Sequence, residues 1–137
     1  MTGQLLKDAD EQALLQTARD VARNAHAPYS NFHVGAAVLT EGRAVYRGCN
    51  VENASYGLTI CAERAALFAA VAGEGADKLR IRAIAVQTAS GDPASPCGAC
   101  RQVIYEFNPD ALVLFQGENG LETMKARDLL PLGFRLD

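Results

Sequence analysis

The apolar positions between residues 9 and 24 recur at intervals of three and four, which predicts an amphipathic helix. The spacing is carried by Leu14, Leu15, Ala18, Val21 and Ala22, and Ala25 continues it just beyond residue 24. Asp8 and Glu11 have the spacing of a capping box, in which an acidic cap is followed three residues later by a glutamate. The helix is therefore expected to start just after Asp8 and to end before Pro28.

The rest of the chain is predicted to contain five strands and two helices. The pattern predicts strands at 33–39, 44–49, 81–88, 111–115 and 121–126, and helices at 60–72 and 97–107. Segment 81–88, IRAIAVQT, has no polar face until its end, so burial on both faces is expected. The helix at 60–72 is apolar nearly all round and is expected to be buried. A hairpin followed by helix, strand, helix, strand predicts an α/β fold with a mixed sheet.

Composition narrows the class of protein. The chain has 137 residues, a formal net charge of −3 and four cysteines. It has no cluster of Lys or Arg, which disfavours a nucleic-acid partner. The N-terminus lacks a secretion signal and no apolar run reaches membrane-spanning length, which argues against a membrane protein. A cytoplasmic location with reduced thiols is expected, so metal binding or catalysis outranks disulfides.

The cysteines fall at predicted helix starts. Ser95 as cap and Pro96 as first helical residue would put Cys97 in the first turn and Cys100 one turn later. Cys61 lies similarly at the start of the preceding helix. Helix starts in a parallel strand–helix–strand–helix unit lie at one sheet edge, so three thiolates can converge on one Zn²⁺. That leaves its fourth position for water, as in a catalytic site.

Charged residues next to these cysteines fit a catalytic role. Glu63, two positions after Cys61, can lean over the metal, take a proton from water and pass it to a substrate. Three thiolates carry more charge than Zn²⁺ cancels. Arg64 and Arg101 are therefore candidates to donate hydrogen bonds to the sulfurs.

Other interpretations of the thiols remain open. Cys97 and Cys100 alone could be a redox pair, although that leaves Cys61 and Glu63 without a role. A structural zinc site would need a fourth ligand, and Cys49 is the one spare thiol. The thiols could also be buried by chance.

The sequence Cys61-Ala-Glu63 followed by Pro96-Cys-Gly-Ala-Cys100 resembles the zinc-dependent cytidine deaminases. Cysteine in the first ligand position is similar to the small homotetrameric enzymes that act on free nucleosides. Three further segments resemble this family in the same order, namely 28–37, 49–56 and 129–134. The resemblance implies a single three-layer α/β/α domain over residues 1–137, with a mixed sheet of about five strands.

The resemblance also implies roles for individual residues. One zinc ion per subunit would be held by Cys61, Cys97 and Cys100, with Glu63 as the proton shuttle. Asn50 and Glu52 would bind the ribose, and Phe32 would pack against the base. The backbone at Ala62 and around Ser95 would bind the polar edge of the pyrimidine, with Tyr56 in the same wall. Phe134 would reach this site from a neighbouring subunit. His26 and His33 would be structural, and Cys49 a packed free thiol.

The implied reaction is hydrolytic deamination of cytidine and 2′-deoxycytidine in pyrimidine salvage. A zinc-bound hydroxide would attack C4 of the base, in a homotetramer with shared active sites. A deaminase of a cytosine-containing antibiotic such as blasticidin S is the nearest alternative, and Asn50 with Glu52 favours the plain nucleoside. A nucleotide or polynucleotide substrate is disfavoured by the lack of a basic cluster. From another class, a zinc-stabilised interaction module would show no turnover.

Overall fold

A five-stranded mixed sheet forms the centre of the computed structural model, which describes residues 6–136. The strands are β1 (Val34–Thr40), β2 (Val45–Cys49), β3 (Ile81–Thr88), β4 (Leu112–Gly117) and β5 (Gly120–Lys125). Their order across the sheet is β2-β1-β3-β4-β5. Strands β3 and β4 are parallel, and the other neighbouring pairs are antiparallel. The predicted mixed sheet is confirmed.

Helices cover both faces of the sheet. They are α1 (Asp8–Ala22), α2 (Ala62–Glu74), α3 (Gly98–Phe107) and the short α4 (Ala126–Leu129), with a 3₁₀ helix at Tyr56–Leu58. One apolar cluster joins α1 to one face of the sheet, and a second joins α2, α3 and α4 to the other face. The predicted three-layer arrangement is confirmed. Within residues 6–136, no helix is long and apolar enough to cross a membrane.

The central strand β3 has the predicted bounds and is buried on both faces. Its residues Ala83 and Ala85 pack in the cluster under α1, whereas Ile84 and Val86 pack in the cluster under α2 and α3. Only Arg82 among its residues is half-buried rather than buried. Alternating residues of one strand therefore hold both helical layers.

The helix boundaries differ from the predictions in ways that have local causes. Helix α1 includes Asp8, and its N-cap is Lys7, which makes no side-chain capping bond. The predicted capping box is therefore wrong, although the acidic side chains of the first turn still interact favourably with the positive end of the helix dipole. Helix α2 begins at Ala62, and its Phe68 is 50% exposed, so it is not buried all round.

Helix α3 begins at Gly98, one residue after the predicted bound of 97 and two residues after Pro96, the predicted first helical residue. Its N-cap is Cys97, whose carbonyl accepts the first helical bond from the Arg101 N–H at 2.9 Å. The predicted cap at Ser95 and first helical residue at Pro96 are wrong. The segment before Cys97 is instead not helical, and the Ala94 N–H donates to the Gln116 carbonyl of β4 at 2.9 Å.

Two glycines let helices lie directly against strands. A Cβ at Gly35 in β1 would lie 1.9 Å from the Ala18 carbonyl oxygen of α1 and 2.6 Å from the Ala22 nitrogen. A Cβ at Gly48 in β2 would lie 2.4 Å from the Ala66 nitrogen of α2. Because these neighbours are helix backbone, a side chain at either position would push a helix off the sheet.

We expect Gly35→Ala to lower the free energy of unfolding by about 1–3 kcal/mol, the usual cost of overpacking. Denaturant unfolding of the zinc-loaded protein, at one fixed protein concentration, measures this difference. The matched control is Gly42→Ala, because a Cβ at Gly42 has its nearest neighbour 3.9 Å away at the Thr40 hydroxyl. Equal stability of the two variants would contradict the packing argument.

Candidate active site

Three sulfur atoms meet at the edge of the sheet where α2 and α3 begin. The Sγ atoms of Cys61, Cys97 and Cys100 all lie within 4.8 Å of one another, and those of Cys61 and Cys97 are 3.8 Å apart. Cys61 is the N-cap of α2, and Cys97 is the N-cap of α3. The two helix starts that the sequence predicted to meet do so.

This sulfur cluster fits a zinc ion. Two tetrahedral Zn–S bonds of about 2.3 Å place their sulfurs roughly 3.8 Å apart, which matches the spacing of Cys61 and Cys97. Thiolates are ligands that zinc prefers, and three of them leave one coordination position open. Cys49, at the end of β2, is outside the cluster, so a fourth sulfur is not supplied by this residue.

The environment of the cluster favours thiolate at Cys61. The pKa of Cys61 is lowered to about 5, first by a hydrogen bond with Cys100 and further by Arg64 and Cys97, against the opposing effect of burial. The same hydrogen bond with Cys61, together with burial, raises the pKa of the Cys100 thiol. Free N–H groups at both helix starts add positive potential around the sulfurs.

Arg64 lies where the sequence predicted a charge compensator. Its Nη2 donates a hydrogen bond to the Cys61 sulfur at 3.3 Å. Interaction with the thiols of Cys61 and then Cys100 raises the pKa of the guanidinium. A permanent cation therefore offsets part of the negative charge of three thiolates.

Arg101 has a different role from the one predicted. Its Nε donates to the Pro96 carbonyl at 2.7 Å, and its Nη1 donates to the Leu129 carbonyl at 3.1 Å. The predicted bond to a sulfur is therefore replaced by bonds to backbone. Arg101 fixes the segment before Cys97 and ties it to the end of α4.

Glu63 lies in the first turn of α2, beside the sulfur cluster. It is only 4% exposed, and it lines a cavity together with Cys61, Cys97 and Ala62. Burial raises the pKa of the Glu63 carboxyl to about 7, and the nearby Cys61 charge acts in the same direction. A carboxyl group of this kind, beside a metal site, can accept and return a proton near neutral pH.

The cavity has a volume of about 260 Å³ and a mostly apolar lining. It extends from the sulfur cluster to the loop before β1 and the segment after β2. The lining residues are Ser30, Phe32, Val34, Asn50, Glu52, Thr59, Cys61, Ala62, Glu63, Val86, Ala94, Ser95 and Cys97. Eight of the predicted site residues thus line this one cavity, namely Phe32, Asn50, Glu52, Cys61, Ala62, Glu63, Ser95 and Cys97.

Asn50 lines the cavity, but its amide also binds backbone. Its Oδ1 accepts from the Val34 N–H at 2.9 Å, and its Nδ2 donates to the Phe32 carbonyl at 2.8 Å. The residue is 9% exposed. An amide has two donors and two acceptor sites, so one of each is left for a ligand.

Glu52 lies at the outer end of the cavity. Its Oε1 accepts from the Tyr29 N–H at 2.9 Å and from the Ser30 N–H at 3.2 Å, and its Oε2 accepts from the Ser30 hydroxyl. The Ser30 hydroxyl is the main reason that the pKa of Glu52 lies below its ordinary value. Glu52 is therefore an anionic hydrogen-bond acceptor held by a loop.

The aromatic residues predicted to contact substrate occupy different places. Phe32 lines the cavity and is 38% exposed, so its ring is not part of the core. Tyr56 is 73% exposed and packs edge to face against Tyr29 at a centroid distance of 5.8 Å. These two tyrosines border a second, outer depression that shares Glu52 with the cavity.

Phe134 is 66% exposed and is not among the residues that line the cavity. The Gln102 side chain of α3 donates to the Phe134 carbonyl at 3.2 Å, which fixes the backbone but leaves the ring free.

The histidines and Cys49 lie outside the sulfur cluster, as predicted. His26 follows α1; its backbone N–H donates to the Asn50 carbonyl at 3.0 Å, and its carbonyl accepts from the Glu52 N–H at 2.8 Å. His33 precedes β1, and its carbonyl accepts from the Ala89 N–H at 3.0 Å. Burial raises the pKa of the Cys49 thiol, which keeps it protonated.

Sequence reasoning missed Ser30 and Thr59, which both line the cavity. Ser30 lies within the segment 28–37 that carries the family resemblance, but no local pattern links its hydroxyl to Glu52, which is 22 positions away. Thr59 follows the 3₁₀ helix, and its hydroxyl accepts from the Asn53 N–H at 3.3 Å. Contacts between loops leave no periodic signal in a sequence.

Comparison with known proteins gives consistent matches. Residues 8–116 match the family model described as cytidine and deoxycytidylate deaminase zinc-binding region. A cytidine deaminase from Halalkalibacterium halodurans is 43% identical over 127 residues, which cover 91% of this chain and 94% of that protein. One from Mycobacterium tuberculosis is 40% identical over 132 residues, with 96% and 95% covered. The crystal structure of a Burkholderia pseudomallei cytidine deaminase superposes with a TM-score of 0.81 at 47% identity, covering 90% of this chain and 98% of that one.

We expect Cys61→Ser, Cys97→Ser and Cys100→Ser each to reduce the zinc content well below one ion per chain, because an alcohol is a far weaker ligand than a thiolate. Metal analysis of the purified variants measures this loss. Cys49→Ser is the matched control and should keep full zinc content. Full zinc in the Cys97→Ser protein would contradict the assignment of the cluster.

Proposed function

The chain belongs to the cytidine and deoxycytidylate deaminase family, and from that membership we propose that it hydrolyses cytidine and 2′-deoxycytidine to the corresponding uridine nucleosides and ammonia. The observation that carries this proposal is that the three-sulfur cluster and Glu63 meet at a single cavity, which Cys61, Cys97 and Glu63 line. The cavity brings a metal site and an acid–base group to the same reacting atom.

A zinc ion held by Cys61, Cys97 and Cys100 would supply the Lewis acidity that makes water a nucleophile at neutral pH. Glu63 accepts the proton of the attacking water and delivers it to N3 of the pyrimidine. A C4–O bond forms, and the C4–N bond of the amino group then breaks. Glu63 then takes the proton of the new C4 hydroxyl, which becomes a carbonyl, and transfers it to the leaving nitrogen, which departs as ammonia. Arg64 meanwhile holds the Cys61 sulfur.

Different residues of the cavity lining bind the base and the sugar of the nucleoside. Phe32 packs its aromatic face against the base. The polar edge of the base binds free backbone groups near Ala62, at the start of α2, and around Ser95. Glu52 accepts from sugar hydroxyls, and Asn50 contributes the one donor and one acceptor that its backbone bonds leave. Tyr56 borders the sugar-binding end of the site from the outer depression.

We propose that the chain acts as a homotetramer with active sites shared between subunits. Support comes from large apolar side chains that a monomer leaves in water, since Tyr56, Leu132 and Phe134 are 73%, 102% and 66% exposed. Phe134 would complete the cavity of a neighbouring subunit. Residues 1–137 would form one domain, and the enzyme would serve pyrimidine salvage in the cytoplasm.

We expect Glu63→Gln to reduce the rate of cytidine conversion by about a hundredfold to ten-thousandfold, since that is the usual contribution of a general acid–base group. Glutamine keeps the shape of the side chain but cannot accept a proton. Ultraviolet absorbance of the nucleoside follows the reaction, and metal analysis should give unchanged zinc. Glu118→Gln, in the exposed turn after β4, is the matched control.

The same assay separates the rival functions. Unmutated, zinc-loaded protein that converts neither cytidine nor 2′-deoxycytidine would overturn the proposal. Conversion of blasticidin S by that protein would then identify an antibiotic deaminase, and no turnover with either class would favour a zinc-stabilised interaction module.

We expect Phe134→Ala to raise KM for cytidine about tenfold without loss of zinc, because the variant loses an aromatic contact and its buried area. Steady-state kinetics with metal analysis tests this. Leu121→Ala removes an exposed apolar side chain from β5 and should leave KM unchanged. An unchanged KM for Phe134→Ala would exclude a shared active site of this form.

A further inference from the structure

The Ser30 hydroxyl connects two walls of the cavity. It donates a hydrogen bond to Oε2 of Glu52 and accepts one from the Phe32 N–H at 3.0 Å. Glu52 follows β2, whereas Phe32 belongs to the loop that precedes β1. One hydroxyl group therefore links the acidic end of the cavity to its aromatic wall.

The loop around Ser30 is fixed from several directions. The Asn31 N–H donates to the Ala27 carbonyl at 3.0 Å, and Asn31 has the left-handed φ of 57° that an asparagine tolerates. Asn50 holds the Phe32 carbonyl at 2.8 Å. Because the loop backbone is fixed on both sides of Ser30, its hydroxyl has a defined position relative to Glu52.

The hydrogen bonds of Glu52 leave a specific part of the carboxylate free. A carboxylate offers about four acceptor positions. Two on Oε1 are filled by the Tyr29 and Ser30 N–H groups, and one on Oε2 is filled by the Ser30 hydroxyl. The position that remains is on Oε2, and its direction is set by Ser30.

We propose that Ser30 is a positioning residue that selects substrates by their sugar hydroxyls, by orienting the free acceptor position of Glu52. This inference rests on the proposed nucleoside deaminase function, in which Glu52 binds the ribose. Ser30 itself stays bonded to protein on both sides and acts through Glu52. Without the hydroxyl, the carboxylate could turn about its terminal bond and lose its alignment with the sugar.

A purely structural role would give a different result. If Ser30 only stabilised the loop, its removal would lower the stability or affect all substrates alike. If Ser30 acts on Glu52, the loss appears in the binding of substrates that carry sugar hydroxyls, with kcat nearly unchanged. An interaction made equally in the ground state and the transition state changes KM alone.

The experiment compares cytidine with 2′,3′-dideoxycytidine in the wild-type, Ser30→Ala and Ser30→Thr proteins, each with its zinc content measured. For Ser30→Ala we expect KM for cytidine to rise about tenfold, the scale of one net hydrogen bond, with kcat within about twofold. KM for the dideoxy substrate should change much less. Ser30→Thr keeps a hydroxyl and should restore the cytidine KM. Ser90→Ala, in the loop after β3, is the matched control.

Two results would overturn the inference while the proposed function stands, namely an unchanged cytidine KM in Ser30→Ala or an equal rise for both substrates. If Ser30→Ala does not fold, Ser30→Cys answers the same question, because a thiol is a weak donor of similar shape. A zinc-loaded wild-type protein that converts neither nucleoside would instead overturn the proposed function and this inference with it.

Discussion

The active-site architecture depends on holding two helix starts side by side at one edge of the sheet. Helix α2 precedes β3, and α3 joins β3 to the parallel strand β4. This connection brings the N-caps Cys61 and Cys97 together on the same face. Three thiolates at one point would repel each other strongly, so the helix dipoles, Arg64 and a divalent cation must act jointly to stabilise them.

The same helix start that provides a metal ligand also provides the acid–base group. Cys61, the N-cap of α2, belongs to the sulfur cluster. Glu63 follows it by about half a helical turn and lines the cavity. Their relative position is set by helix geometry rather than by a flexible loop. Rigid placement of this kind keeps a proton-transfer group within reach of its partner throughout the reaction.

The sequence predicted those features that rest on periodicity and spacing. The continuous apolar run 81–88 defined β3 and its double burial, and the cysteine spacing defined the metal cluster. It did not predict contacts that depend on how loops return to one another. Arg101 binds the Pro96 carbonyl rather than a sulfur, and Asn50 uses one donor and one acceptor of its amide on the backbone at Phe32 and Val34. Such bonds join residues whose separation carries no pattern.

The division of the metal ligands between two parts of the chain makes zinc a cross-link as well as a catalyst. Cys61 and Cys97 are 36 positions apart (97 − 61), so a metal bound to both closes a loop that contains α2 and β3. Closing a loop of that length with a covalent bridge removes about 4 kcal/mol of chain entropy from the unfolded state. Metal binding and folding are therefore thermodynamically linked in this protein, and its resistance to unfolding depends on the free zinc concentration around it.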